Sequence, residues 1–127
     1  MDLQKIIYSA ITSSTGCTQY TGTRVYHKHL PTDFKINNIT TVFIINKSLS
    51  EGSFDDSNEI EYLNVDIKLN YTNSSILYDY QEEIKKAIFA ITDSKIKYIE
   101  YNNSDLIWNP NYDFYNLNTG FTIQYEK

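Results

Sequence analysis

The sequence predicts an α+β fold in which two amphipathic helices cover a mostly antiparallel sheet, in the order α-β-β-β-α-β-β. Three observations carry this prediction. Leu63, Val65, Ile67, Leu69 and Tyr71 alternate with Asn64, Asp66, Lys68 and Asn70, the two-residue period of a half-buried strand. After Asn73, Ser74 and Ser75 the period turns helical, with Leu77, Tyr80, Ile84, Ala87, Ile88 and Ile91 on one face. Near the start, Leu3, Ile6, Ile7, Ala10 and Ile11 fall at the spacing of a second helical face. A long strand running directly into an amphipathic helix implies a helix laid across one face of a sheet.

The first helix is read over Asp2–Thr12, with Asp2 placed to cap it or complement its dipole, and with the Thr12–Thr15 run and Gly16 as its exit. The chain then turns through Cys17–Thr23. A short strand over Arg24–Leu30 stops at Pro31, and Thr32–Asn38 reads as a polar loop. Thr40–Asn46 is β-branched and apolar on both faces, which predicts the central and most buried strand. Ser48–Asn58, with Gly52 and several acids around Phe54, has the composition of a hairpin loop. In the next strand Ile60 and Tyr62 are out of phase with Leu63–Tyr71, which predicts a bulge near Tyr62 or a change of covering, in a strand long enough to cross a subunit boundary. The helix of about Ser75–Ile91 ends near Asp93. An extended Lys95–Tyr101 is broken at Asn102, Asn103 and Ser104, and a last strand follows Gly120 with Phe121, Ile123 and Tyr125 on one face.

The 127 residues, 41% hydrophobic, suffice for one domain spanning 1–127 with its own core. A net charge of -5, with the bases dispersed, supplies no basic stripe for nucleic acid. No long apolar run resembles a signal peptide or membrane helix, and the one cysteine cannot form an internal disulfide, so synthesis and folding in the cytoplasm are expected. The Asn-rich composition makes sequons such as Asn38-Ile39-Thr40 chance occurrences.

Candidate chemistry loses to structural readings throughout. His27 and His29 would share one strand face, but no third ligand with matching spacing accompanies them, so no metal is expected. Cys17 lies in no nucleophile signature. Glu82 and Glu83, like Asp55 and Asp56, are adjacent carboxylates, and on a helix adjacent residues diverge; Glu82 is read as pairing with Lys85 or Lys86. No phosphate-binding loop, dinucleotide fingerprint or G-x-S-x-G elbow is present. No catalytic or cofactor-binding residue is therefore assigned. The aromatic C-terminal third marks Trp108, Tyr112, Phe114 and Tyr115 as a candidate protein interface, weighed against ordinary packing and, more weakly, a sugar-stacking surface.

Four stretches together resemble the small tail-completion, or tail-terminator, proteins of long-tailed bacteriophages. They are the helix Leu3–Ile11; Arg24-Val25-Tyr26 leading to Leu30-Pro31; the apolar strand Thr41–Ile45; and Tyr62–Ile67 followed by the helix Tyr80–Ile91. The ending Gly120–Tyr125 fits the closing strand of that family, whereas Asn102–Asn118 is longer and more aromatic than its pattern. The resemblance implies a non-enzymatic virion protein: a ring, commonly a hexamer, that sits on the tail tube at its head-proximal end and joins it to the head connector or stopper. Its partners would be itself, the tail tube protein and the connector, with DNA passing through unbound and no membrane involved. Net acidity suits a lumen that must not hold phosphate. Glu51, Phe54, Asp55, Asp56 and Glu59 are the candidate loop for the lumen or an axial partner. The competing readings are another neck or tail-tube component and a small cytoplasmic protein-binding inhibitor.

Overall fold

The computed structural model of the protein describes residues 2–30, 38–47, 60–111 and 113–126. Eight elements follow in order: α1 (Asp2–Thr12), α2 (Thr15–Thr21), β1 (Val25–His27), β2 (Thr40–Lys47), β3 (Ile60–Tyr71), α3 (Ser74–Phe89), β4 (Ile96–Asn109) and β5 (Phe114–Glu126). The fold is α+β, as the sequence predicts. The five strands make one mixed sheet in the order β1-β2-β3-β5-β4, with β1 and β2 parallel and every other neighbouring pair antiparallel.

The helical periods translate directly into burial. Leu3, Ile7 and Ile11 of α1, and Leu77, Tyr80, Ile84 and Ile88 of α3, are fully buried. They meet Phe43 of β2, Leu63, Val65, Ile67 and Leu69 of β3, and Leu117, Phe121 and Ile123 of β5. Each such side chain removed from water contributes roughly 1.5–3 kcal/mol before the entropy of ordering it. The Asn73 side chain caps α3, accepting from the Ser75 backbone N–H at 3.0 Å and the Ser75 hydroxyl at 2.7 Å. The capping role read for Asp2 concerns a side chain outside the described residues.

Several sequence expectations change. The turn expected at Cys17–Thr23 contains α2, a short helix whose N-cap Ser14 accepts from the Cys17 N–H at 3.2 Å. Gly16 therefore lies inside a helix and is not an exit; a Cβ there would meet the Glu83 carboxylate of α3. Seven residues are too few to display a periodic face, and α2 persists because Cys17 and Thr21 are buried. Central position belongs to β3, not β2: among the described residues, β2 has a neighbour on its outer side only over Thr41–Phe43. β3 carries no bulge at Tyr62: its register with β5 runs unbroken from Ile60 to Tyr71. Ile60 and Tyr62 stay in phase with Asn64 and Asp66 on the face away from the helices, each 37% exposed. β3 pairs with β5 from Ile60 to Tyr71 and with β2 from Leu63 to Asn70.

The larger change is at the C-terminal end. Asn102–Ser104 does not end a strand, because β4 continues through it to Asn109, absorbing an irregularity between Tyr101 and Asn103. β5 begins at Phe114, so Gly120 is a mid-strand residue; a Cβ there would sit 2.9 Å from the Asn103 side-chain oxygen and 3.3 Å from that of Asp66. Glycine accommodates the close approach of side chains at the bulge. The segment Asn102–Asn118, read as an insertion between strands, is thus a long β-hairpin.

The single thiol is structural. Cys17 is fully buried, its Sγ lies 3.4 Å from the Glu83 carbonyl oxygen, and burial pushes its pKa up. Thiol-specific labelling of the native protein should be slower than in denaturant by on the order of 100-fold or more. Equal rates would mean that α2 is not docked.

Candidate protein interface

β4 is the last strand of the sheet, so among the described residues its outer backbone edge has no strand partner. Fourteen residues of unpaired edge are a template for association unless something blunts them. The first half is blunted by two register irregularities, at Ile96/Tyr98 and Tyr101/Asn103, and by the packing of Ile96, Ile99 and Tyr101 on the core. From Asn103 to Asn109 the register with β5 is regular, and this half carries Leu106, Ile107 and Trp108 at 38%, 57% and 44% exposure.

Strand alternation sorts those three side chains. Leu106 and Trp108, opposite Leu117 and Tyr115, lie on the helix side of the sheet, and Ile107, opposite Asn116, on the other. The Trp108 ring meets Tyr115 at 4.7 Å between centroids with a 57° tilt. α3 adds to the helix side. Lys85 sits 4.2 Å above the Tyr101 ring and Phe89 meets Phe121 edge-on at 5.8 Å, so the Lys85–Phe89 flank faces β4. Tyr78, two helical turns before Lys85 and 46% exposed, belongs to the same flank. The hairpin ends at Pro110, where the Asn109 side chain accepts from the Asn111 N–H at 3.1 Å and Asp113 takes a positive φ of 56°.

The structure divides the four aromatics singled out in the sequence. Trp108 and Tyr115 touch and share the helix side; Phe114, opposite Asn109, lies on the other face and is buried; Tyr112 lies outside the described residues. The candidate loop residues Glu51, Phe54, Asp55, Asp56 and Glu59 also lie outside the described residues. Leu106 and Ile107 do not stand out in the sequence, because Asn102–Ser104 has the composition of a strand break. The signal available was the unbroken run Leu106-Ile107-Trp108 ahead of Asn109-Pro110, the pattern of a strand ending in a turn.

Other clusters offer less. Tyr80, Thr41 and Thr21 form a buried hydroxyl chain, Tyr80 to Thr41 at 2.5 Å and Thr41 to Thr21 at 2.9 Å, ending on the Arg24 carbonyl oxygen at 2.9 Å. Burial drives the Tyr80 phenol far above its ordinary pKa, so this chain fastens α3 to β2 and offers no base. His27 packs on Phe43 at 5.0 Å while His29 is exposed beyond the strand end. Among the described residues no three acidic, histidine or cysteine side chains gather as a metal site. An open groove of about 690 Å³ runs between α1 and the end of α3, lined largely by small side chains such as Ser9, Ala10, Ala87 and Ala90. No helix among the described residues is long and apolar enough to cross a membrane.

No family model matches the chain, and no curated protein matches it. Among solved structures it is similar to a chain in "Virion of native gene transfer agent (GTA) particle", with a TM-score of 0.69 and 11% sequence identity over 98% of this chain and 95% of that chain. At such low identity the likeness establishes a shared fold, end to end.

Proposed function

We propose that the protein is a non-enzymatic virion structural protein of the tail-completion type: one domain that assembles as a ring on the head-proximal end of a phage tail tube and joins it to the head connector. The observation that carries this reading is the end-to-end likeness to a chain of a virion particle, which agrees with the resemblance to tail-terminator proteins read from the sequence. One further feature supports it. The surface offers an apolar strand edge that has no strand partner among the described residues and is suited to a protein partner. The partners in this reading are further copies of the chain, the tube protein and the connector. DNA passes without specific binding, and the acidic loop with Glu51, Asp55, Asp56 and Glu59 faces the lumen or an axial partner.

Immunogold electron microscopy of virions from the source phage tests this directly. Label at the head-proximal end of the tail is the expected result. Label along the tube would assign the chain to the tube, and unlabelled complete particles would overturn the virion reading.

Trp108 is the only tryptophan, so its emission reports on the candidate interface alone. The isolated subunit should show ready acrylamide quenching of a half-exposed indole. Assembly should reduce quenching and move emission to shorter wavelength as the ring is desolvated. Unchanged emission in the assembled state would place the contact elsewhere.

A further inference from the structure

We infer that neighbouring copies join through the two opposite edges of the sheet, the acidic outer edge of β4 in one copy against the basic flank of β1 in the next. This rests on the ring reading above and assigns the surfaces that would close the ring.

The two edges carry opposite charge. β4 carries Glu100 and Asp105, its one base, Lys97, being paired with Glu126 of β5 at 2.8 Å, whereas Arg24 and Lys28 flank β1, which holds no acid. β4 and β1 are the terminal strands of the sheet, so these groups stand on opposite sides of the subunit. Two different complementary patches are what a head-to-tail cyclic assembly needs, whereas an edge that paired with its own copy would stop at a dimer.

Spacing and polarity agree as well. Arg24 and Lys28 bracket β1, four residues apart. Glu100 and Asp105 are five residues apart in sequence, but the irregularity at Tyr101/Asn103 takes up one. They lie opposite Thr122 and Asn118, four positions apart on β5. The sheet pairings make β1 antiparallel to β4, so a neighbour carried round an axis along the strands presents an antiparallel edge, the slightly more stable pairing. That alignment sets Lys28 toward Glu100, and Arg24, whose guanidinium also donates to the Ile39 and Tyr20 carbonyl oxygens at 2.8 and 3.1 Å, toward Asp105. Lys28, Glu100 and Asp105 are all exposed, and among the described residues no ion pair within the subunit engages them. On the helix side a depression of about 420 Å³ opens beside β1, lined by Lys5, Tyr8, Val25 and His27 among others, on the same side of the sheet as the exposed Leu106 and Trp108.

Sedimentation velocity over a range of protein concentrations, at low and moderate salt, tests this with the full chain, Lys28→Glu, Glu100→Lys and the double exchange, each checked for native circular dichroism. The wild type is expected to associate, more weakly as salt rises. Each single reversal should weaken association about tenfold or more, and the double exchange should restore it to within about threefold of wild type. Association indifferent to the single reversals, a double exchange that rescues nothing, or a wild type still monomeric at the highest concentration would each overturn the assignment. Labelling of virions tests the parent reading separately. Label at the tail end with charge-insensitive association removes only these edges, and missing label removes the ring reading itself.

Discussion

Replacing Phe121 by alanine is expected to cost about 3–5 kcal/mol of folding stability, a large share of the 5–15 kcal/mol typical of a whole domain. Phe121 is fully buried in the middle of β5, opposite Val65 of β3 and Tyr101 of β4. Its ring meets Tyr101 at 5.7 Å and Phe89 edge-on at 5.8 Å, so truncation opens a cavity where helix and sheet meet. Backbone pairing on both sides of β5 limits how far the sheet can collapse into that space, which places the cost toward the upper end for such truncations. Guanidinium unfolding should show a lower midpoint with an unchanged slope, whereas Phe89→Ala, on the 49% exposed side of the same contact, should cost about 1 kcal/mol. A shift for Phe121→Ala no larger than that of Phe89→Ala would contradict the packing described.

Thr41→Val should be the costliest isosteric change, at about 2–3 kcal/mol, because it strands buried groups on both sides. The Tyr80 hydroxyl loses its acceptor and the Thr21 hydroxyl loses its donor, in a place closed to water. Tyr80→Phe, which leaves Thr41 able to donate to Thr21, should cost only about 1 kcal/mol. Combined, the two should cost less than their sum, since no orphaned phenol remains; strict additivity would mean that the groups do not interact. The phenol also has a pH signature. Its folded pKa is raised by burial, so its contribution is complete below tyrosine's ordinary pKa of about 10 and is lost as pH rises beyond it. Wild type should therefore lose stability above about pH 10 more steeply than Tyr80→Phe.

Local period carried most of the fold. α1, α3 and β3 were legible because each buries one face over many residues, so its apolar spacing repeats often enough to be counted. α2 was not, since seven residues held by an N-cap and two buried side chains produce no period. Nor was the continuation of β4, because Asn and Ser usually end strands, and here a bulge keeps the pairing going while the Asn102 amide donates to Thr122 at 2.7 Å. Half of the candidate interface was visible for the same reason. Aromatic composition marked Trp108 and Tyr115, while Leu106, Ile107 and Tyr78 stood out only once the hairpin and the flank of α3 had positions in space.

By itself, then, the sequence determined the α+β class, the helices on one side of a largely antiparallel sheet, and the lack of any recognisable catalytic motif. These follow from local spacing and residue chemistry. Only the tertiary structure decided that β3 is central, that β1 joins in parallel, and that β4 is left at the edge with its apolar residues exposed. The physical reason is that strand order is set by hydrogen bonds between residues far apart in the chain. A strand's own period reports which face is buried and carries no information about what lies at its edges.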